Sequence, residues 1–246
     1  MSDRETALSG RGFGRAAADY VAGRPDYPAE AVAWLLGDAV EVADVGAGTG
    51  KLTAALVRAG AHVTAVEPDA GMLDALRREV PEATALQGAA EHLPLADAAV
   101  DVVVLGQAWH WVDVPAASAE AARVLRAGGR LGLVWNVRDS TADWVARLGE
   151  LMHGSAAEQA IETDAVAVAA PFGPLERRTW TWNRSMTVDT VLSMAASRSY
   201  LIAMEPDERA AVLDRIRALL ETHPDTAGRA EFPMPYTTVG FRTDAP

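Results

Sequence analysis

The stretch DVGAGTGKLT, residues 44–53, decides the fold of this chain. It follows the short apolar run EVADV (41–45), so a strand runs directly into a glycine-rich turn and a helix over 49–59. The same alternation continues outward, with strands at 62–67, 83–87, 100–106 and 130–136 and helices at 70–79 and 115–126. Strands that alternate with helices in this way predict an α/β fold, a doubly wound parallel sheet with helices on both faces.

Three motifs compete for this glycine-rich turn. A phosphate-binding P-loop fails, because Val45 replaces its first glycine and Leu52 replaces its metal-binding hydroxyl. A dinucleotide fingerprint fails at its third glycine, where Lys51 stands. The pattern acid-x-Gly-x-Gly-x-Gly fits throughout, at Asp44, Gly46, Gly48 and Gly50.

On these residues the chain resembles the class I S-adenosylmethionine-dependent methyltransferases. Three further segments, GQAWHWVD (106–113), F-x6-Y-x3-RPDYP (13–28) and RVLRAGG (123–129), narrow the resemblance to the small-molecule group that includes the trans-aconitate methyltransferases. The resemblance implies a Rossmann-like, mostly parallel sheet of seven strands with the last strand antiparallel. It also implies S-adenosylmethionine as the cofactor.

The same resemblance implies a set of cofactor-binding residues. The glycine loop with Ala47 would wrap the amino-acid and ribose part, and Glu67 would accept the ribose hydroxyls. Pro68 and Met72 would line the adenine face, although Met72 fits a helix core equally well. Ala90 and Glu91 would contact the edge of the adenine, and Gln107 would lie beside the methionine part. A lid over the cofactor would carry Tyr20 and Arg24, with Arg24 near the cofactor's carboxylate.

The catalytic candidate is His110, which stands between two tryptophans just beyond a strand. If the acceptor is a hydroxyl, an amine or an acidic carbon, His110 is its general base; if the acceptor is a carboxylate, His110 only orients it. Trp109 is expected in the core. The substrate pocket is expected to contain aromatic residues and, for an anionic substrate, an arginine; these candidates are Phe13, Tyr27, Trp111, Trp135, Arg138 and Tyr200.

The chain is expected to form one domain over 1–246. Its first part (1–37) would carry lid helices at 8–23 and 28–37, and residues 38–140 would form the cofactor-binding core. The remainder (141–246) would supply cap helices and the last strands. Those helices are expected at 141–170, 187–199 and 206–221, and the strands at 177–183 and 236–242.

Composition excludes several classes of function. A net charge of −12 disfavours nucleic acid as a partner. The chain has no cysteine, and its five histidines show no metal-ligand spacing, so no metal site is expected. The sequence has no long apolar run, and its charged and polar start is not typical of a secretory leader, so we expect a cytoplasmic protein without a membrane span. The oligomeric state stays open.

The sequence therefore predicts an enzyme that methylates a small molecule, with specialised metabolism as the expected setting. Carboxyl O-methylation is slightly favoured, and other O-, N- or C-methylation follows closely. The alternative is a protein of this fold that binds S-adenosylmethionine but no longer methylates. A nicotinamide oxidoreductase is disfavoured by Lys51.

Overall fold

A computed structural model describes residues 25–152 and 166–246 of the chain. Seven strands form one sheet: β1 (Glu41–Val45), β2 (His62–Glu67), β3 (Thr84–Gln87), β4 (Val100–Gly106), β5 (Leu125–Arg138), β6 (Glu176–Met186) and β7 (Phe232–Asp244). The helices of the described residues are α1 (Ala29–Leu36), α2 (Lys51–Arg58), α3 (Ala70–Glu79), α4 (Val114–Val124), α5 (Asp143–Met152), α6 (Val188–Ala196), α7 (Ser199–Ile202) and α8 (Pro206–Thr222).

The sheet confirms the doubly wound prediction. Its strand order is β3-β2-β1-β4-β5-β7-β6. The pairs β1–β2, β1–β4, β2–β3 and β4–β5 are parallel. β7 runs against β5, because Asp139 N donates to Pro235 O while Ala245 N donates to Gly129 O. The order reverses at β1 and β4, and ligands of open α/β sheets bind beyond the carboxyl ends of the strands at such a point.

Several element boundaries differ from the sequence prediction. The helix expected at 115–126 ends at Val124, because Leu125 already pairs with Val100 of β4. The helix expected at 141–170 is wrong in its last part: α5 covers Asp143–Met152, and residues 166–175 are irregular around Pro171 and Pro174. The helix expected at 187–199 is interrupted at Ser197, whose hydroxyl donates to Met194 O at 2.7 Å.

The structure divides into two compact units, each with its own apolar core. In the described residues the first unit covers 26–136, 166–180 and 238–246, and the second covers residue 25, 137–152 and 181–237. The core of the first unit joins α1 and α2 to the central strands through Leu35, Leu56, Val104 and Val134. The core of the second unit joins α5, α6 and α8 through Leu148, Val191, Ile216 and Phe232.

Candidate functional site

The glycine loop after β1 requires its glycines. Gly46, Gly48 and Gly50 all have positive φ, at 68°, 59° and 90°. A Cβ at Gly46 would lie 2.7 Å from the Cβ of Ala108, whereas a Cβ at Gly48 would meet no atom of the described residues within 4 Å. The loop therefore keeps open space above Gly48, which a ligand could occupy in contact with the backbone.

Glu67, at the end of β2, holds this loop in place. Its Oε2 accepts from Gly48 N at 2.8 Å, and its Oε1 accepts from Asp69 N at 2.9 Å. Burial raises the pKa of the Glu67 carboxyl, and the backbone hydrogen bonds from Asp69 and Gly48 oppose that rise. The carboxylate thus lies beside the open space above Gly48, where a hydroxylated ligand could meet it.

Asp44 lies below the loop and is completely buried. Thr53 donates its hydroxyl to Oδ2 of Asp44 at 2.6 Å. Burial raises the pKa of the Asp44 carboxyl to about 7; the hydrogen bonds from Thr53 oppose the rise and the Glu67 charge adds to it. Among the described residues, Oδ1 of Asp44 and the hydroxyl of Thr49 have no hydrogen-bond partner. Two such buried polar atoms beside a glycine loop suit a ligand that brings its own polar groups.

The residues expected to bind adenine lie in the segments that follow β2 and β3. Met72 is buried in α3, whose first turn is capped by Asp69 through a 2.8 Å bond to Met72 N. Pro68 is exposed and Ala90 is half-buried. Oε1 of Glu91 accepts from Asp113 N at 2.8 Å, so this acid anchors the segment that leads into α4.

Gln107, just beyond β4, has a strained backbone. Its φ is +57°, a conformation that side chains other than glycine rarely adopt and that clusters at functional sites. Its amide nitrogen Nε2 donates to the main-chain oxygen of Asn136 at 2.9 Å, and its own N donates to Val134 O. These two hydrogen bonds to β5 keep the backbone of Gln107 in its strained conformation and fix the residue at the carboxyl edge of the sheet.

Asn136 is the main residue that sequence reasoning missed. It is buried, its Nδ2 donates to Asp26 O at 3.1 Å, and its Oδ1 accepts from the hydroxyl of Thr238 at 2.6 Å. It thus joins β5 to β7 and to the segment before α1. An asparagine directly after the apolar run of β5 was the available signal. Thr53, the partner of Asp44, was also missed.

Tyr27 lies over the end of β4. A Cβ at Gly106 would be 2.7 Å from the Tyr27 hydroxyl, so only glycine permits this approach. The ring packs against the core of the first unit. Tyr27 therefore lies near the carboxyl edge of the sheet, and part of its ring belongs to the core.

His110 and its two aromatic neighbours form a small cluster. Trp135 Nε1 lies 3.5 Å from Nδ1 of His110, and the ring centroids of His110 and Trp111 are 4.7 Å apart. Trp135 is buried, His110 is half-buried and Trp111 is 74% exposed. The cluster therefore runs from the core to the surface, with the imidazole in between.

The segment Trp109–Trp111 is a 3-10 helix, so the two tryptophans do not share a face. Trp109 is buried and its Nε1 donates to Ala167 O at 2.9 Å. Its assignment to the core is confirmed.

The remaining candidates lie elsewhere. Arg138 belongs to the second unit, where it is buried and donates from Nη1 to the sulfur of Met152 at 3.1 Å. The backbone of Tyr200 is in α7, but its side chain is outside what the structure describes. Phe13, Tyr20 and Arg24, and the expected helix 8–23, also lie outside the described residues.

Within the described ranges, no group of three or more acidic or histidine side chains could hold a metal ion. A search of the same ranges finds no helix long and apolar enough to cross a membrane.

Known proteins resemble this chain in sequence and in fold. A family model for the methyltransferase domain matches residues 43–133. An uncharacterized methyltransferase of Mycobacterium tuberculosis is 47% identical over 242 residues, which cover 98% of this chain and 97% of that protein. A malonyl-[acyl-carrier protein] O-methyltransferase of Methylococcus capsulatus is 43% identical over 94 residues, 36% of this chain and 34% of that protein. A solved structure of a candidate type II methyltransferase from Anaeromyxobacter dehalogenans matches with a TM-score of 0.67 and 24% identity, covering 90% of this chain and 97% of that one.

Proposed function

The chain belongs to the class I S-adenosylmethionine-dependent methyltransferases, and from this premise we propose that it methylates a carboxylate oxygen of a small molecule. The protein is an enzyme whose cofactor is S-adenosylmethionine. We further propose that it is a member of the trans-aconitate methyltransferase-like group.

The cofactor is assigned to the edge where β1, β2 and β4 end. The space above Gly48 takes the methionine part, and Glu67 accepts hydrogen bonds from the ribose hydroxyls. Asp44, whose Oδ1 has no partner among the described residues, stabilises the positive charge of the bound cofactor. Bound S-adenosylmethionine supplies an electrophilic methyl group on a sulfonium.

The adenine is assigned to the region of Pro68, Met72, Ala90 and Glu91. Met72 is buried, so it contributes by forming the wall of that region from α3. Glu91 contributes by fixing the loop after β3 to Asp113. Gln107 is assigned to the methionine end, where its strained backbone is held against β5. Ala47 contributes through the loop backbone.

The hydrogen bonding of His110 is the observation that carries the choice of acceptor. The indole nitrogen of Trp135 can only donate, so its 3.5 Å contact with Nδ1 of His110 favours the neutral tautomer in which Nδ1 accepts and Nε2 carries the proton. Nε2 in that tautomer is a donor and cannot take a proton from an acceptor. A donor suits a carboxylate, which is already nucleophilic and needs alignment rather than deprotonation.

The aromatic groups beside His110 support the same assignment. The buried Trp135 contacts the imidazole through its indole nitrogen, and the exposed ring of Trp111 lies 4.7 Å from the imidazole, centroid to centroid. Fixed alignment and exclusion of water are what in-line methyl transfer requires of the protein. A relative of the cofactor-binding part, the malonyl-[acyl-carrier protein] O-methyltransferase, is also named for O-methylation. The comparisons give no support to the alternative of a protein that binds the cofactor without methylating.

The proposal is tested with S-adenosylmethionine labelled in its methyl group and a panel of small carboxylic acids, alcohols and amines. Product that forms with acids and loses its label in mild alkali is a methyl ester and supports the proposal. Alkali-stable product from alcohols or amines would overturn the choice of acceptor and restore His110 as a general base. The Asp44→Asn variant serves as the control, since its product formation should fall with every acceptor.

A further inference from the structure

Asn136, near the carboxyl end of β5, is a buried polar residue that uses both ends of its side-chain amide. Its Nδ2 donates to the main-chain oxygen of Asp26 at 3.1 Å, and its Oδ1 accepts from the hydroxyl of Thr238 at 2.6 Å. A main-chain oxygen can only accept, so the amide nitrogen has to face Asp26 and the amide oxygen has to face Thr238. The two partners therefore determine the orientation of the amide.

The main chain of Asn136 makes a separate contact with Gln107. The carbonyl oxygen of Asn136 accepts from Nε2 of Gln107 at 2.9 Å, and this bond helps to hold a residue whose φ is +57°. Every residue at position 136 would supply this carbonyl. A substitution of Asn136 therefore removes the contact of its side chain with Asp26 but keeps the acceptor for Gln107.

The contact with Asn136 is the buried anchor of the segment that precedes α1. The carboxylate of Asp26 also lies 3.3 Å from Nζ of Lys51, but the two side chains are 65% and 30% exposed. An exposed ion pair contributes little to stability, whereas a buried hydrogen bond is costly to lose. The amide of Asn136 is therefore expected to fix the position of Asp26 and of the residue that follows it.

That following residue is Tyr27, which lies against the end of β4. A Cβ at Gly106 would be 2.7 Å from the hydroxyl of Tyr27 and 3.3 Å from its Cζ. Gly106 directly precedes Gln107, so Tyr27 and Gln107 meet at the carboxyl end of one strand. β4 is the neighbour of β1, whose glycine loop is assigned to the methionine part of the cofactor. Asn136 thus contacts Gln107 through its carbonyl and holds Tyr27 through Asp26.

We propose that Asn136 is a positioning residue for S-adenosylmethionine. Its amide holds the segment of Asp26 and Tyr27 so that the tyrosine closes the methionine end of the cofactor site beside Gln107. Asn136 acts through Tyr27 and does not itself contact the cofactor. The inference rests on the proposed function in one respect, the assignment of the methionine end to Gln107, and does not depend on the acceptor.

The test is titration calorimetry of the whole chain with S-adenosylmethionine and two variants of Asn136. Asn136→Leu has a similar volume, is neutral and cannot donate to Asp26. Asn136→Asp, when ionised, can still accept from Thr238 but cannot donate. Both variants should bind the cofactor at least about tenfold more weakly than the wild type, because the segment before α1 loses its buried anchor.

Val239→Ala is the matched control for a general loss of stability. Val239 is buried next to Thr238 on β7, and successive side chains of a strand point to opposite faces of the sheet. The substitution removes buried apolar volume and leaves the amide of Asn136 unchanged. Thermal unfolding should report a loss of stability in this variant, while its affinity for the cofactor should stay within about twofold of the wild type.

A double-mutant cycle tests whether Asn136 acts through Tyr27. Tyr27→Leu keeps an apolar side chain in the core and should by itself weaken cofactor binding by about tenfold. Adding Asn136→Leu to this variant should weaken binding by no more than about a further twofold, because the side chain to be positioned is already absent. Independent effects that multiply would overturn the proposal.

Three other results would also overturn it. The first is wild-type affinity in both Asn136 variants. The second is weakening in Asn136→Asp alone, since the added charge would then be the cause. The third is equal weakening in Val239→Ala, which would show a general effect of stability. If neither Asn136 variant folds, Tyr27→Leu decides the question, and wild-type affinity there would contradict the proposal. Because the assay contains no acceptor, its failure is distinguishable from failure of the proposed carboxylate methylation.

Discussion

Gly48 and Glu67 are joined by a hydrogen bond of 2.8 Å between the amide of the glycine and Oε2 of the acid. The bond ties the loop after β1 to the end of β2, the strand that lies parallel and next to β1. The loop conformation and the position of the carboxylate therefore depend on each other. A change at either residue should affect both the binding of the cofactor and the order of the loop.

Glu67→Gln should weaken binding of S-adenosylmethionine by about tenfold or more, which corresponds to about 1.4 kcal/mol. The amide has one acceptor oxygen, whereas the carboxylate of Glu67 already accepts from Gly48 and Asp69 and would also have to accept from the ribose. Titration calorimetry measures the affinity. Glu82→Gln removes the same charge at an exposed position, and an equal loss in that variant would contradict a specific role.

Gly48→Val should abolish binding of the cofactor. The valine side chain would enter the open space above the loop, and it would also be strained at a φ of +59°, at a cost of about 1–3 kcal/mol. Gly128→Val separates the two effects, because Gly128 has a φ of +73° and also has nothing within 4 Å of an added Cβ. Thermal unfolding should report similar losses for both variants. Only Gly48→Val should lose cofactor binding in calorimetry. If this variant keeps its affinity, the methionine part of the cofactor does not bind in the space above Gly48.

The sequence predicted the part of the site that depends on periodicity. Strand, turn and helix around Asp44 and Glu67 follow from local patterns, and so does the carboxyl edge where they meet. The 3-10 turn at Trp109–Trp111 could not be predicted, because it depends on where distant backbone such as Ala167 lies. The burial of Arg138 could not be predicted either, because an arginine at this kind of position is more often exposed.

Asp44→Asn should change how stability depends on pH. Burial raises the pKa of Asp44 from 3.8 to about 7, so between these values the folded protein binds more protons than the unfolded chain. The wild type should therefore lose stability relative to the variant as the pH rises through this window, by at most about 1.4 kcal/mol per pH unit, and the difference should level off above about pH 7.

The measurement for Asp44→Asn is urea unfolding without cofactor at a series of pH values. The exposed substitution Asp38→Asn is the control and should leave the pH profile unchanged. If the free energies of unfolding of wild type and Asp44→Asn differ by the same amount from pH 4 to 8, Asp44 is ionised as readily in the folded protein as in the unfolded chain. In that case the burial of the carboxyl would be offset by partners beyond Thr53.

His110→Ala should raise the KM for the acceptor while kcat changes little. The indole of Trp135 donates toward Nδ1, so the neutral ring presents Nε2–H, which can align a carboxylate but cannot deprotonate a hydroxyl. His110→Gln, whose amide nitrogen can also donate, should recover part of the acceptor affinity. As a control, His92→Ala at an exposed position should leave both KM and kcat unchanged. A fall in kcat of about 100-fold, unrescued by glutamine, would instead be the result expected of a general base. The acceptor would then be a group that must lose a proton, and the tautomer fixed by Trp135 would have to reverse during the reaction.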